Sequence, residues 1–533
     1  MRHCVAVLLL AVAACTARHA ATANDTTLTI GQQQEPISLN PAMENGQRST
    51  QWGELLFSYL VKYDTQGRLV GDVATAVPSL ANGGISKDGL TITYHLRNDV
   101  RFADGVRLTA RDCVWSIDAI NNPNNDVQSR YGYDRVARAE APNDDTLVLH
   151  LKRPFAPIIS LVLAPEGYPI FPAHLLARYP DFNHLDFDAK PIGSGPYVVD
   201  AWVRGDHVAL HANPYYFLGK PLIEHLTVRF IPDPQEGTNQ LRTHEIQAYF
   251  NEQDYSQYRA LLRLRNYRVL DMPESAVGAL IFNTQSPLAS DARVRHALAE
   301  AIDIHSLVAK AYRGALHSRE AGRGLFLWAF DPRSYPDVPY DPSNARRLLQ
   351  AAGWTAAGHG VRHKNGRALD LLLVIQAGVL GEEIAASAIA QYERAVGAHV
   401  AIRAFNVTQF GAPAAMGGPV YAGKFDMALY SFVNGDDPDT TDQFACANVP
   451  PHGYNKSRIC DPRIDALLRA GRSTYDPGKR KAVYARLQAL LYEELPVVPI
   501  YQRRELDAFT DRLRGPTGSI DSVFWDVARW RLE

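Results

Sequence analysis

The stretch GLTITYHLRNDVRFADGVRLTARDCVWSIDAI, Gly89 to Ile120, constrains the fold more than any other part of the chain, because it reads as one supersecondary unit. Ile92, Tyr94 and Leu96 alternate with Thr91, Thr93, His95 and Arg97, the period of a strand with one buried face. Asp104-Gly105 supplies a turn, and Thr109 stands where a hydroxyl can accept a free amide proton at a helix start. Cys113, Val114, Ile117 and Ile120 follow at the spacing of one buried helical face. Strand, turn and capped helix come in order, so strands and helices have to share a core.

The rest of the chain keeps that mixture. Leu28-Thr29-Ile30 begins a first strand, and EPISLNPA, Glu35 to Ala42, follows as a Pro-broken loop. ELLFSYLVKYD places Leu55, Leu56, Tyr59 and Leu60 at helical spacing, while DTLVLHL, from Asp145 to Leu151, alternates as a half-buried strand. The Gly/Pro cluster from Pro191 to Tyr197 favours a crossing between lobes, and GPYVVDAW and HLTVRFI continue as strands. A strand from Ala279 to Phe282 gives way to helices capped by Asp291 and Asp303. Asp476-Pro477 opens a last helix whose inner face is Val483, Leu487, Leu490 and Leu491, and VVPIY from Val497 to Tyr501 reads as a buried strand. There is no fixed-period repeat, which excludes a solenoid or propeller.

The first residues, MRHCVAVLLLAVAAC, combine a positive start with an apolar stretch too short to span a bilayer, the pattern of an export signal. Val12-Ala13-Ala14-Cys15 resembles a lipobox, in which Cys15 becomes the acylated first residue; ordinary cleavage after Ala23 is the alternative. At 533 residues the chain is too long for one core. A formal net charge of −2 offers no broad cationic field, which excludes nucleic acid as the expected partner. In an oxidising compartment Cys446 and Cys460 can close a short loop, contributing about 3 kcal/mol. Cys113 reads as a buried, inert thiol. No paired CxxC motif exists, so no zinc site, other metal or cofactor is expected.

Six blocks, EPISLNP, FADGVRLTARD, GSGPY, FNT with DARVRHALAEAID, YDPSNARRLLQAAGW and DPRIDALL, stand in the order found in the family 5 extracellular solute-binding proteins. The chain thus resembles the peptide and nickel receptors of bacterial ABC importers. That resemblance implies an α/β protein of the periplasmic-binding-protein-like type II class, with two hinged lobes of mixed sheets plus an accessory α+β domain. It places residues 1–27 in the signal and linker, 28–70, 193–277 and 507–533 in the first lobe, 71–192 in the accessory domain and 278–506 in the second lobe. It implies a peptide ligand, permease subunits with cytoplasmic ATPases as partners, an exported, lipid-anchored monomer, and no catalysis.

The same resemblance points to FDMALYSFVNGDDPDTTDQF, Phe425 to Phe444, for the site. Met427 to Phe432 reads as a strand, and in peptide-binding relatives the corresponding edge, here including Ser431 and Phe432, hydrogen-bonds the ligand backbone. A carboxylate just after it grips the peptide ammonium, as a buried cation requires. This sequence departs from the pattern: the expected acid falls on Asn434, while Asp436 and Asp437 lie further on. Either a local shift brings an aspartate into the role, or these acids only cap a helix and build a turn. VIQAGVLGEEI lacks the arginine that dipeptide receptors use for the ligand carboxylate. Asn45 and Trp52 can line the other wall, although Trp52 equally suits a core, and Asn283 suits either the cleft or a backbone cap.

Enzyme signals fail individually. His244-Glu245 opens like a zinc-protease motif, but the second histidine position is Ala248. Gly193-Ser194-Gly195 is no nucleophile elbow, and no phosphate-binding loop exists. The rival readings are the same receptor role for a nickel chelate, haem or oligosaccharide, a secreted hydrolase, and a sensory or chaperone-like binder.

Overall fold

A computed structural model of the chain describes residues 26–44, 46–251, 255–356, 360–519 and 522–533. The signal region, Cys15 and Asn45 lie outside the described residues. One ten-stranded sheet runs through both lobes, in the order His399–Phe405, Asp370–Gln376, Met427–Val433, Tyr267–Phe282, Val497–Thr510, Ala248–Asn251, Thr27–Gln32, His225–Phe230, His207–Ala212, Tyr197–Val203.

Two long strands carry the sheet from lobe to lobe. Tyr267–Phe282 and Val497–Thr510 pair antiparallel along most of their length, with a register irregularity between Pro273 and Val277. On the first-lobe side Val497–Thr510 takes Ala248–Asn251 as its other neighbour; on the second-lobe side Tyr267–Phe282 takes Met427–Val433. A bulge at Glu274–Ala276 therefore lies where the lobes meet, in the place where a sheet bends most easily. The expected strands Ala279–Phe282 and Val497–Tyr501 are only the second-lobe halves of these crossings. Charged residues such as Arg503, Arg504 and Glu505 hid the continuation from an apolar-run reading.

Apolar side chains sort accordingly. One core joins Leu28, Ile30, Trp52 and Ile92 to the tail residues Phe524 and Trp530, while two others gather residues from Val277 to Tyr501. The sheet Thr91–His95, Thr146–Leu151, Val136–Asn143 and the helix Ala110–Asn121 contribute to the first core. Thr109 is the N-cap of that helix, in a capping box with Asp112. Its hydroxyl and its amide both donate to the Asp112 carboxylate, at 2.9 and 2.8 Å, which fixes the first turn.

Two further expectations are corrected. ELLFSYLVKYD is not one helix: the helix Gly46–Leu56 stops there, and Val61–Tyr63 pairs with Leu69–Gly71 as a hairpin. Lys62 next to Asp72 and the buried Val61 and Tyr63 gain more from that pairing than from another helical turn. On the last helix, Pro477–Glu494, the buried face is Arg480, Tyr484, Leu487, Gln488 and Leu491, with Val483 and Leu490 only partly covered. The rotation brings Arg480 inward.

Candidate functional site

Met427–Val433 pairs with Tyr267–Phe282 throughout, but Asp370–Gln376 reaches it only at Met427 and Ala428. From Leu429 to Val433 its other edge therefore has no strand partner among the described residues, leaving backbone groups free for an extended ligand. The loop beyond this edge floors a cavity of about 460 Å³, walled on the opposite side by residues near Tyr131 and Glu166.

The charges of that cavity have one sign. Glu44, Glu166, Glu274, Asp436, Asp437, Asp439 and Asp442 line it, and no lysine, arginine or histidine does so among the described residues. Glu166 comes so close to Gly435 that a β-carbon there would stand 1.9 Å from Glu166 Oε2. Burial raises the Glu166 pKa well above the carboxylate range and Asp436 and Asp437 add to it, whereas hydrogen bonds from Ser160 and Tyr63, the latter at 2.9 Å, oppose them. Tyr131 Oη donates to Asp439 at 2.9 Å, and burial is also the main cause raising the pKa of that carboxyl.

Each described residue named from the sequence has a definite place. Asn434 is held by its own lobe: its Nδ2 donates to Gly324 O and its Oδ1 accepts from Gln443, both at 2.8 Å. Asp437 receives two bonds from Arg480, at 2.5 and 2.6 Å, with both side chains under 10% exposed. Asp436 is 3% exposed and lines the cavity. Phe432 packs in a second-lobe core and Trp52 in the first-lobe core. Asn283 donates to Gly423 O and Phe425 O, at 3.1 and 3.0 Å, bracing that loop away from the cavity. Cys446 and Cys460 are joined, with Cα atoms 4.5 Å apart, and Cys113 is buried and free.

Ser431 lines a different space, a second cavity of about 450 Å³. Its walls include Tyr255, Tyr312, Tyr501 and the stretch from Gln376 to Glu382, where no arginine stands. The two cavities adjoin at the bulge: Glu274 lines the first, Arg503 the second, and they pair at 2.9 Å with each side chain 9% exposed.

Glu166, Tyr131, Glu274, Arg503 and Glu382 were not singled out from the sequence. A carboxylate within the otherwise apolar VLAPEGYPI was a usable signal for Glu166, since an acid there has no apolar role. Nothing local marks the others, because their neighbours are remote in sequence.

Comparison with known proteins gives a consistent result. The model of bacterial extracellular solute-binding proteins, family 5 Middle, matches residues 75–450. Protein XP55 of Streptomyces lividans is 26% identical over 514 residues, covering 93% of this chain and 87% of that protein. Di/tripeptide-binding protein 2 of Pseudomonas aeruginosa is 27% identical, covering 83% and 84%. The structure of NikZ from Campylobacter jejuni in complex with Ni(L-His) matches with a TM-score of 0.75 at 26% identity, over 95% of this chain and 99% of that one. No helix among the described residues is long and apolar enough to cross a membrane.

Proposed function

This chain belongs to the bacterial extracellular solute-binding proteins of family 5, and from that premise we propose that it captures peptides between its two lobes and hands them to the permease of an ABC importer. The observation that carries the reading is the all-acidic cavity set at the end of an open strand edge. A peptide laid along Leu429–Val433 satisfies its backbone there, whatever its side chains. Its ammonium enters the cavity, where Glu166 approaches from the accessory domain and Asp436 from the second lobe.

Closure follows from the same charges. Apart, the two walls each face water; together, they crowd carboxyls that need a cation or a proton between them. A cationic ligand therefore favours the closed form by binding it better than the open one, and closure is the signal the permease reads. The protein makes and breaks no bond in this scheme. We place residues 28–70, 193–277 and 507–533 in the first lobe, 71–192 in the accessory domain and 278–506 in the second lobe; separate apolar cores support setting the second lobe apart, while one core is shared by the first lobe and the accessory domain. Export, acylation at Cys15 and a monomeric state complete the proposal.

Titration calorimetry with free and N-acetylated tri- and tetrapeptides tests it. Acetylation removes the cation, and the expected loss is about 2–5 kcal/mol. Equal binding of both forms would remove the acidic cavity from the account. Failure of every peptide, with binding of a nickel–histidine chelate instead, would transfer the role to a metal complex, the ligand held by the Campylobacter jejuni relative.

A further inference from the structure

The second cavity has a composition of its own. Tyr312 Oη donates to Tyr501 Oη at 3.0 Å with ring centroids 4.6 Å apart, and Tyr255 meets Tyr312 edge-on at 6.0 Å. Next to this aromatic wall stands Glu382, in the first turn of the helix Leu380–Val396. Glu382 Oε2 accepts only the backbone amide of Gln376, at 3.2 Å, and no cation is among the groups that act on its carboxyl. The nearby guanidinium of Arg503 is occupied by Glu274, and Arg313 lies exposed at the rim. Ser431 Oγ is shielded from solvent in the same wall and has no hydrogen-bond partner.

We infer that this cavity takes the lysine or arginine side chain of a bound peptide, with Glu382 as its counter-charge and the tyrosine faces around its stem; the inference rests on the peptide reading above. An ammonium or guanidinium gains a carboxylate and ring faces in one place. An aspartate or glutamate side chain meets Glu382 head-on, so the same residue rejects acidic ligands. Burial raises the Glu382 pKa to about 7, so its charge develops fully when a cation arrives. The offset is set by the strand: Val433 lines the first cavity and Ser431 the second, two residues or about 7 Å apart. The basic side chain therefore belongs to the second or third residue of the peptide.

The test compares alanine tetrapeptides carrying one lysine or one glutamine at positions 2 to 4, titrated into wild type, Glu382→Gln and Glu383→Gln. In wild type, lysine at position 2 or 3 should bind at least tenfold tighter than glutamine there. Glu382→Gln should bring that ratio to about one, while Glu383→Gln, altering an exposed neighbouring carboxylate, should keep it. A ratio near one in wild type, or a ratio untouched by Glu382→Gln, overturns the inference although glutamine peptides still bind. If no peptide binds at all, the peptide reading falls and this inference with it.

Discussion

Asp436 and Asp437 are consecutive residues on one loop and both line the acidic cavity, yet their surroundings differ. Asp437 is tied to Arg480 by two hydrogen bonds, and the pair is nearly closed to water. Asp436 faces the cavity, where the charges across the gap are also negative. Asp437 and Glu274 each meet an arginine of the protein, whereas Asp436 looks across the gap at another carboxyl, Glu166. Number of acids does not mark a binding site. What marks it is carboxyls brought face to face across a cavity.

The largest effect expected from breaking this contrast is at Arg480. Arg480→Ala leaves Asp437 buried without its partner and should cost about 3–5 kcal/mol of stability, read by urea denaturation. The double variant Asp437→Asn with Arg480→Met should recover most of that loss. If Arg480→Ala is neutral, the floor of the loop is not held by this pair.

A smaller effect is expected across the cavity. Glu166→Gln keeps the shape and hydrogen bonds of the protonated acid but cannot ionise toward a cation, so peptide affinity should fall about tenfold, or about 1.4 kcal/mol. Because the folded Glu166 pKa is raised above its ordinary value, its contribution to ligand-free stability is full at pH below the carboxylate range and is lost as pH rises. Peptide binding expels that proton, so affinity should rise with pH in wild type and flatten in Glu166→Gln. Calorimetry in buffers of different ionisation enthalpy reads the released proton directly.

The smallest expected effect concerns a cation the fold leaves without an acid. Lys456, 3% exposed, sits 4.0 Å from the Tyr430 ring and 5.1 Å from those of Tyr421 and Tyr454, and donates to Tyr430 Oη at 2.6 Å. Burial lowers its pKa to about 7, and no carboxylate is among the groups acting on it. At pH above the ordinary lysine range, where the amine is neutral folded and unfolded, Lys456→Met should change stability by no more than about 1 kcal/mol, since ring contacts of that order are exchanged for apolar packing. The unfolded chain binds more protons than the folded one between pH 7 and 10, so wild-type stability should rise with pH across that window relative to Lys456→Met.

Much of the scaffold was legible because its causes are local. Alternation in Thr91–His95 and the aspartates before Ala292, Ile304 and Pro477 act within a few residues, and the structure has those elements where the pattern puts them. The hairpin at Val61–Tyr63 was misread because its hydrophobic spacing fits a helix as well as a strand, and only its partner Leu69–Gly71 decides. At the site, the acids of the Phe425–Phe444 stretch were conspicuous. The pairing of Asp437 with Arg480, 43 residues away, was not.

By itself the sequence determined the strand and helix inventory, the caps and the order of family blocks, because periodicity and capping are properties of neighbours along the chain. Only the tertiary structure decided that two strands run unbroken through both lobes, that Glu166 confronts Gly435, and that an aromatic chamber holding Glu382 adjoins the acidic one. Those arrangements depend on distances between remote residues and on which charges are left uncompensated, and a linear string encodes neither until the chain has closed on itself.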